Sequence, residues 1–126
     1  MPKAISELPA ENIRVIFFDI DDTVSSEGKI RSEAYAAIWK LKEAGKVVVP
    51  ITGRPAGWCD HIARMWPVDA IVGENGAFYF MMKEGRMQKR YTADKSRREE
   101  FKRGLEKIRA EIFSEVPSAG ISSDQD

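Results

Sequence analysis

The stretch Val15–Gly28, VIFFDIDDTVSSEG, opens as an unbroken apolar run and then sets three aspartates within four residues, Asp19, Asp21 and Asp22, before turning through Thr23. A short run without alternation, Val15–Phe18, predicts a strand buried on both faces, as in a parallel sheet. Two ionised carboxylates about 4–5 Å apart repel by roughly 3–4 kcal/mol at an effective dielectric of 20. Such crowding persists where one acid keeps its proton or a cation lies between the two. Asp22 suits the simpler role of a turn residue. Asp19, placed directly at the end of an apolar strand, points to chemistry instead.

Downstream of this stretch, RSEAYAAIWKLKEAGK predicts a helix with Ser32 as its N-cap, Ala34, Ile38 and Leu41 on one face, and Gly45 as its stop. VVVPIT, Val47 to Thr52, is a second β-branched run, which Pro50 should end or bulge because it lacks an N–H donor. GRPAGWCDHIARMWP then opens a second helix, with Pro55 at its first position and Pro67 marking the exit. AIVG, Ala70 to Gly73, is a third apolar run, closed by the turn signal Glu74-Asn75-Gly76. Strand–helix–strand–helix–strand at this spacing predicts an α/β fold, a Rossmann-like parallel sheet with right-handed crossovers.

After Gly76 the pattern changes. AFYFMMKEGRMQKRYT predicts an antiparallel hairpin around Lys-Glu-Gly. DKSRREEFKRGLEKIRAEIFSEV predicts an amphipathic helix with Phe101, Leu105, Ile108 and Ile112 on one stripe and its Arg and Lys residues on a solvated face. PSAGISSDQD is a polar tail with no partner expected. There are no internal repeats and no low-complexity tract.

At 126 residues the chain is long enough for one compact domain. Its 20 basic and 20 acidic residues cancel, so no overall field favours nucleic acid or an acidic membrane. Cys59 stands alone and cannot form an internal disulfide, which fits a reducing cytoplasm. MPKAISELPAENIR has no apolar signal core, and no run approaches the ~20 apolar residues of a membrane span.

Ligands of open parallel sheets bind beyond the carboxyl ends of the strands. All three inferred strands end there in polar chemistry: Asp19, Asp21, Asp22 and Thr23; then Thr52, Gly53 and Arg54; then Glu74 and Asn75. FFDIDDTV resembles the first motif of the haloacid dehalogenase superfamily, a strand followed by Asp-x-Asp-x-Thr, and VVVPITGRP resembles its second, a strand ending in Thr or Ser. The Thr-Gly-Arg-Pro form and IVGENGA resemble the Cof-type and sugar-phosphate phosphatase branch, in which a large cap is inserted after the third strand. The resemblance spans roughly Ile13 to Phe80 and implies a core over residues 1–80, with the beginning of a partial α+β cap over 81–126.

What the resemblance implies is a Mg²⁺-dependent phosphatase of a small phosphorylated metabolite, such as a sugar phosphate. Asp19 would be the nucleophile that forms an aspartyl-phosphate. Asp21 would be the general acid and base, which calls for a carboxyl with a raised pKa. Thr52 and Gly53 would hold phosphate oxygens, and Mg²⁺ would meet the Asp19 carboxylate and the Asp21 backbone carbonyl. Asp22 replaces the commoner glycine of the motif, a change that turn geometry tolerates. Arg54 could reach substrate or pair with a nearby acid, and Asn75 could touch substrate or simply make the turn. His61 and Cys59 are expected to be inert, and Trp39, Trp58 and Trp66 to be packing residues.

The same resemblance expects a later lysine and a further acidic motif. Lys83, Lys89 and Lys95 follow no further core strand, so none takes that role, and the chain reads as an N-terminal portion ending within its cap. Little turnover is expected from it, since one missing charged group commonly costs ~10²–10³ in rate. A three-stranded core would leave an open edge, which predicts pairing with a second copy. Two further functions share these residues: a phosphomutase, and a non-catalytic module that binds metal and phosphate.

Overall fold

The computed structural model describes residues 4–126; residues 1–3, part of the leading stretch read for a signal core, lie outside it. In chain order the elements are β1 (Val15–Phe18), β2 (Ser25–Ser26), β3 (Lys29–Ile30), α1 (Ser32–Glu43), β4 (Val47–Pro50), α2 (Ala56–Met65), β5 (Ile71–Gly73), β6 (Phe78–Lys83), β7 (Arg86–Tyr91) and α3 (Lys95–Glu115).

β1 and β4 pair in parallel with Val15 opposite Val47 and Phe18 opposite Pro50. The strand stops at Pro50, as the missing donor requires. The Ile51 N–H still donates to the Phe18 carbonyl (2.8 Å), and Ile51 forms a single parallel bridge to Val72 of β5. The Thr52 N–H donating to the Val72 carbonyl (2.9 Å) and the Asp69 N–H donating to the Val48 carbonyl (2.9 Å) carry the alignment on. β1, β4 and β5 therefore run the same way, with α1 and α2 in the crossovers, and their carboxyl ends lie together. The α/β parallel core with crossover helices is the fold the sequence pattern predicts.

α1 begins one residue earlier than its expected cap: Arg31 holds the N-cap position without a side-chain bond, and Ser32 is the first helical residue. Its end is as expected. Gly45, at φ +72°, lets its N–H donate to the Lys42 carbonyl and the Lys46 N–H donate to the Leu41 carbonyl, the paired bonds of a Schellman stop. Pro55 likewise sits at the N-cap of α2 rather than at its first position.

The hairpin continues the sheet. β6 pairs antiparallel with β5 and, over its full length, with β7. Phe78 and Phe80 stack at 4.3 Å and join Ile20, Cys59, Ile62 and Ile71 in the core, with Met87 and Tyr91 packed against it. The division expected at residue 80 thus falls inside β6, within one ladder.

Two expectations about burial do not hold. β1 is not covered on both faces: Phe17 is 61 % exposed and Val15 42 %, so the face these two share is open. α3 has the expected stripe, but Phe101, Leu105, Ile108 and Ile112 are all exposed. The C-terminal tail, in contrast, does find partners. The Gly57 N–H donates to the Asp124 carbonyl (3.0 Å), the Asp126 N–H donates to Glu74 Oε1 (2.9 Å), and the Asp126 carboxylate meets the Tyr91 hydroxyl and Lys89. Cationic and hydroxyl donors on β7 draw this carboxylate in. Among the described residues no helix is long and apolar enough to cross a membrane.

Candidate active site

The carboxyl ends of the three parallel strands enclose an open cleft of about 470 Å³. Asp19 comes from the end of β1, Thr52 and Gly53 from the turn after β4, and Asn75 from the turn after β5; Phe17, Phe18 and Ile51 supply an apolar wall. Four of the six residues singled out from the sequence therefore share one cavity.

Each is held by its own backbone. The Ile20 N–H donates to Asp19 Oδ1 (2.8 Å), which turns one carboxylate oxygen to the chain and leaves the other for a ligand. Beyond it the loop winds onto the Ile20 carbonyl, which accepts from the Val24 and Ser25 N–H groups and the Ser25 hydroxyl. Asp22 takes the left-handed conformation, φ +57°, that the turn role called for.

Thr52 is 2 % exposed, and its Oγ1 accepts the Arg54 N–H (3.1 Å), closing a tight turn around Gly53. The second turn is pinned to the first: the Asn75 N–H donates to the Thr52 carbonyl and the Glu74 N–H to the Arg54 carbonyl, both 3.2 Å. A Cβ on Gly53 would lie 3.0 Å from Asn75 Oδ1, so glycine is what lets the two turns close. Glu74, Asn75 and Gly76 all have positive φ, and Asn75 is there both as a turn residue and as part of the cleft lining.

The remaining pair lies beside the cleft. Arg54 Nε and Nη2 donate to the two Asp21 carboxylate oxygens at 2.9 and 2.5 Å, and the guanidinium carbon sits 4.2 Å from the centre of the Trp58 ring. The Arg54 hydrogen bonds pull the Asp21 carboxyl below the usual carboxylate range, against a smaller opposing effect of burial. That is opposite to the raised pKa a general acid needs, because this arrangement gives Asp21 a cation as its partner.

Trp58 is one of two tryptophans that correct the packing expectation. It and Trp39 are half-exposed, whereas Trp66 packs edge-on against Tyr35 at 5.8 Å. The Arg54 contact was the signal missed: Trp58 stands four residues after Arg54, across the turn that opens α2. Glu74, placed at the end of the third strand from the sequence, has a further role that the sequence did not show. Its Oε1 accepts the Ala56 N–H (3.1 Å) and caps α2, a role no local spacing reveals because the partners are 18 residues apart. Cys59 is buried with its thiol pushed up to about 11, chiefly by burial, and fits the inert role. His61 is exposed on α2, by a second shallow cleft with Gly57, Trp58 and Asp124.

Among the described residues no three acidic, His or Cys side chains gather as a metal cage. One carboxylate and a backbone carbonyl are nonetheless compatible with Mg²⁺, which usually takes one or two carboxylates with substrate phosphate and water as its other ligands.

Comparison with known proteins agrees with this geometry. No curated protein matches the chain. Among solved structures, a phosphatase of the haloalkanoate (HAD) superfamily from Bacteroides thetaiotaomicron is 25 % identical with a TM-score of 0.56, over 85 % of this chain and 40 % of its own. A haloacid dehalogenase-like hydrolase from B. subtilis is 26 % identical with a TM-score of 0.56, over 77 % and 34 %. A hypothetical protein from Geobacillus kaustophilus shares the fold at 24 % identity and a TM-score of 0.53, over 76 % and 37 %. The chain thus spans between about a third and two fifths of the length of these structures. Residues 16–124 match the family pattern as well, and with the strand-end cleft in place the chain belongs to the haloacid dehalogenase-like hydrolases.

Proposed function

We propose that the cleft is the phosphoryl-transfer site of a Mg²⁺-dependent phosphatase acting in the cytoplasm on a small phosphorylated metabolite, such as a sugar phosphate. The observation that carries this reading is the convergence of Asp19, Thr52, Gly53 and Asn75 from three separate strand ends onto one cavity. The likeness to a solved phosphatase of the superfamily supports it.

In this reading an Asp19 carboxylate oxygen attacks phosphorus. The ester P–O bond breaks as the Asp19–phosphorus bond forms, and the leaving alkoxide takes a proton from Asp21. Water, deprotonated by Asp21, then releases phosphate and restores Asp19. The Thr52 hydroxyl and the Gly53 amide hold the phosphoryl oxygens. The Asp19 carboxylate and the Asp21 carbonyl would hold Mg²⁺, which when bound supplies charge neutralisation at those oxygens. The same proposal includes a core over residues 1–80 and the beginning of an inserted cap over 81–126.

The test is acid-stable phosphorylation, or trapping with BeF₃⁻ in magnesium, together with p-nitrophenyl phosphate hydrolysis. Asp19→Asn should lower any turnover by on the order of 10³-fold or more, as loss of a nucleophile does. Unchanged hydrolysis in that variant would remove Asp19 from the mechanism. The Arg54 grip on Asp21 favours a second reading, a module that binds metal and phosphate without turnover. Calorimetry showing Mg²⁺ and phosphate binding beside zero hydrolysis would select it. The same proposal includes a second copy paired along the free edge of β1, and a monomer in sedimentation at high concentration would exclude that part.

A further inference from the structure

We propose that Arg54 is an exchange clamp: at rest it grips Asp21, and an incoming phosphoryl group takes over that grip and sets Asp21 loose beside the cleft. The inference rests on the phosphate-site reading above and adds to it a second state of the same residues.

Three observations support the exchange. First, the backbone of Arg54 is fixed while its side chain is not part of the cleft lining. Its N–H is tied to Thr52 Oγ1, and its carbonyl accepts from the Glu74 N–H and, at 3.6 Å, from the Cys59 thiol. The guanidinium thus starts one residue from the Gly53 amide proposed to hold phosphate, on a backbone hydrogen-bonded at both its N–H and its carbonyl. Second, Asp21 engages only Nε and Nη2 of a group with five N–H donors, so Nη1 remains for another acceptor while the change is under way. Third, the Asp21 and Arg54 side chains are 46 % and 24 % exposed, and ion pairs at this exposure are weak. A phosphate dianion matches the planar fork as well as a carboxylate does and carries more charge, so it is the stronger acceptor.

Trp58 gives the exchange a track. With the guanidinium 4.2 Å above its ring, the indole supports the cation on one face and leaves sideways movement as the open course. Phosphate gripped by two donors must take Nε or Nη2, at least one of which Asp21 already occupies, so two full bidentate grips exclude one another. Phosphate and the Asp21 carboxylate are therefore competitors for Arg54, and this competition sets the clamp apart from simple charge repulsion between them.

A double-mutant cycle on the full chain separates these possibilities, with orthophosphate binding read by calorimetry at fixed ionic strength in magnesium buffer. If Arg54 exchanges partners, Asp21→Asn tightens phosphate binding by about tenfold with Arg54 present, and by less than about twofold in the Arg54→Gln background, a coupling within the range measured for contacting residues. Equal tightening in both backgrounds would mean plain repulsion and would overturn the clamp, as would no tightening in either. Arg54→Lys keeps the charge but cannot hold two oxygens at once. It should give an intermediate gain, and a gain as large as with arginine overturns the bidentate exchange. If the unmodified chain binds no orthophosphate at all, the phosphate-site reading itself fails and the clamp falls with it. Both side chains are part-exposed, and circular dichroism of each variant verifies the fold.

Discussion

The parallel strand ends and α3 carry equally clear apolar patterns and meet opposite fates. Val48 and Ile71 are 0 % exposed, inside the sheet that α1 and α2 cover, whereas Leu105, at the centre of the α3 stripe, is 63 % exposed. Local pattern forms the element in both places. Burial depends on what the chain brings opposite it: α3 meets the rest of the chain through Arg98, 3.6 Å over the Tyr91 ring, and Lys102, 3.9 Å from the Asp126 carboxylate, while its apolar stripe stays exposed. The contrast separates two sources of order: hydrophobic packing in the sheet, and capping with short-range charge pairs in the helix. α3 begins with Asp94 accepting the Arg97 N–H (2.8 Å) and carries Arg97–Glu100 and Arg109–Glu106 pairs. Each such pair is worth only a few tenths of a kcal/mol.

The contrast breaks most visibly at Phe80, fully buried and stacked on Phe78. Phe80→Ala should destabilise the fold by about 3–5 kcal/mol, read from urea denaturation, because it opens a cavity where side chains cannot collapse. Next is Gly53→Ala, whose new methyl group meets Asn75 Oδ1 at 3.0 Å. Forcing the two turns apart should cost about 1–2 kcal/mol of stability, which lowers the melting temperature by roughly 3–10 °C, and should lower orthophosphate affinity roughly tenfold.

A smaller effect is expected from acid. The Asp21 carboxyl has a lower pKa in the folded chain than its ordinary value, chiefly through its hydrogen bonds to Arg54. The folded state therefore holds on to the ionised form longer than the unfolded chain does. The stability this confers is complete above about pH 4, the unfolded value, and is lost as pH falls through the lower folded value. With both side chains in contact with water it amounts to less than about 1 kcal/mol. Melting curves of the parent and of Arg54→Gln should differ near neutral pH and converge in strong acid. The smallest effect belongs to α3: Leu105→Ala should change stability by no more than about 0.5 kcal/mol, since it removes an exposed side chain and inserts the best helix former. A loss comparable to that of Phe80→Ala would show that the stripe is covered in solution.

Much of the fold was legible because the signals were local. β-branched runs, helical spacing and Gly stops fixed β1, β4, β5 and both crossover helices, and the order of strands followed from connection rules. The site followed as well, since position at a strand's carboxyl end is itself a spatial statement; Asp19, Thr52, Gly53 and Asn75 needed no contact information. The two Glu-Gly turns show the limit. Both place Glu and Gly at positive φ, Glu27-Gly28 joining β2 to β3 and Glu84-Gly85 joining β6 to β7. Only the second was read as a hairpin, because strands of two residues carry no periodicity. The Arg54–Asp21 bond, 33 residues apart in sequence, was open between two partners until the turns were placed. Coverage of β1 and α3 was beyond reach for another reason: exposure is a property of neighbours, and sequence pattern speaks only for the element itself.

Gly73 closes β5 with no side chain at all, and the Phe78 ring and Cys59 sulfur press directly against its backbone, where a Cβ would overlap the ring and stand 2.6 Å from the sulfur. Every missense codon change at this position adds that atom. Each would have to lift the strand end, and the turn bearing Asn75 with it, so heritable variation at the residue is constrained by an aromatic ring that takes no part in lining the cleft.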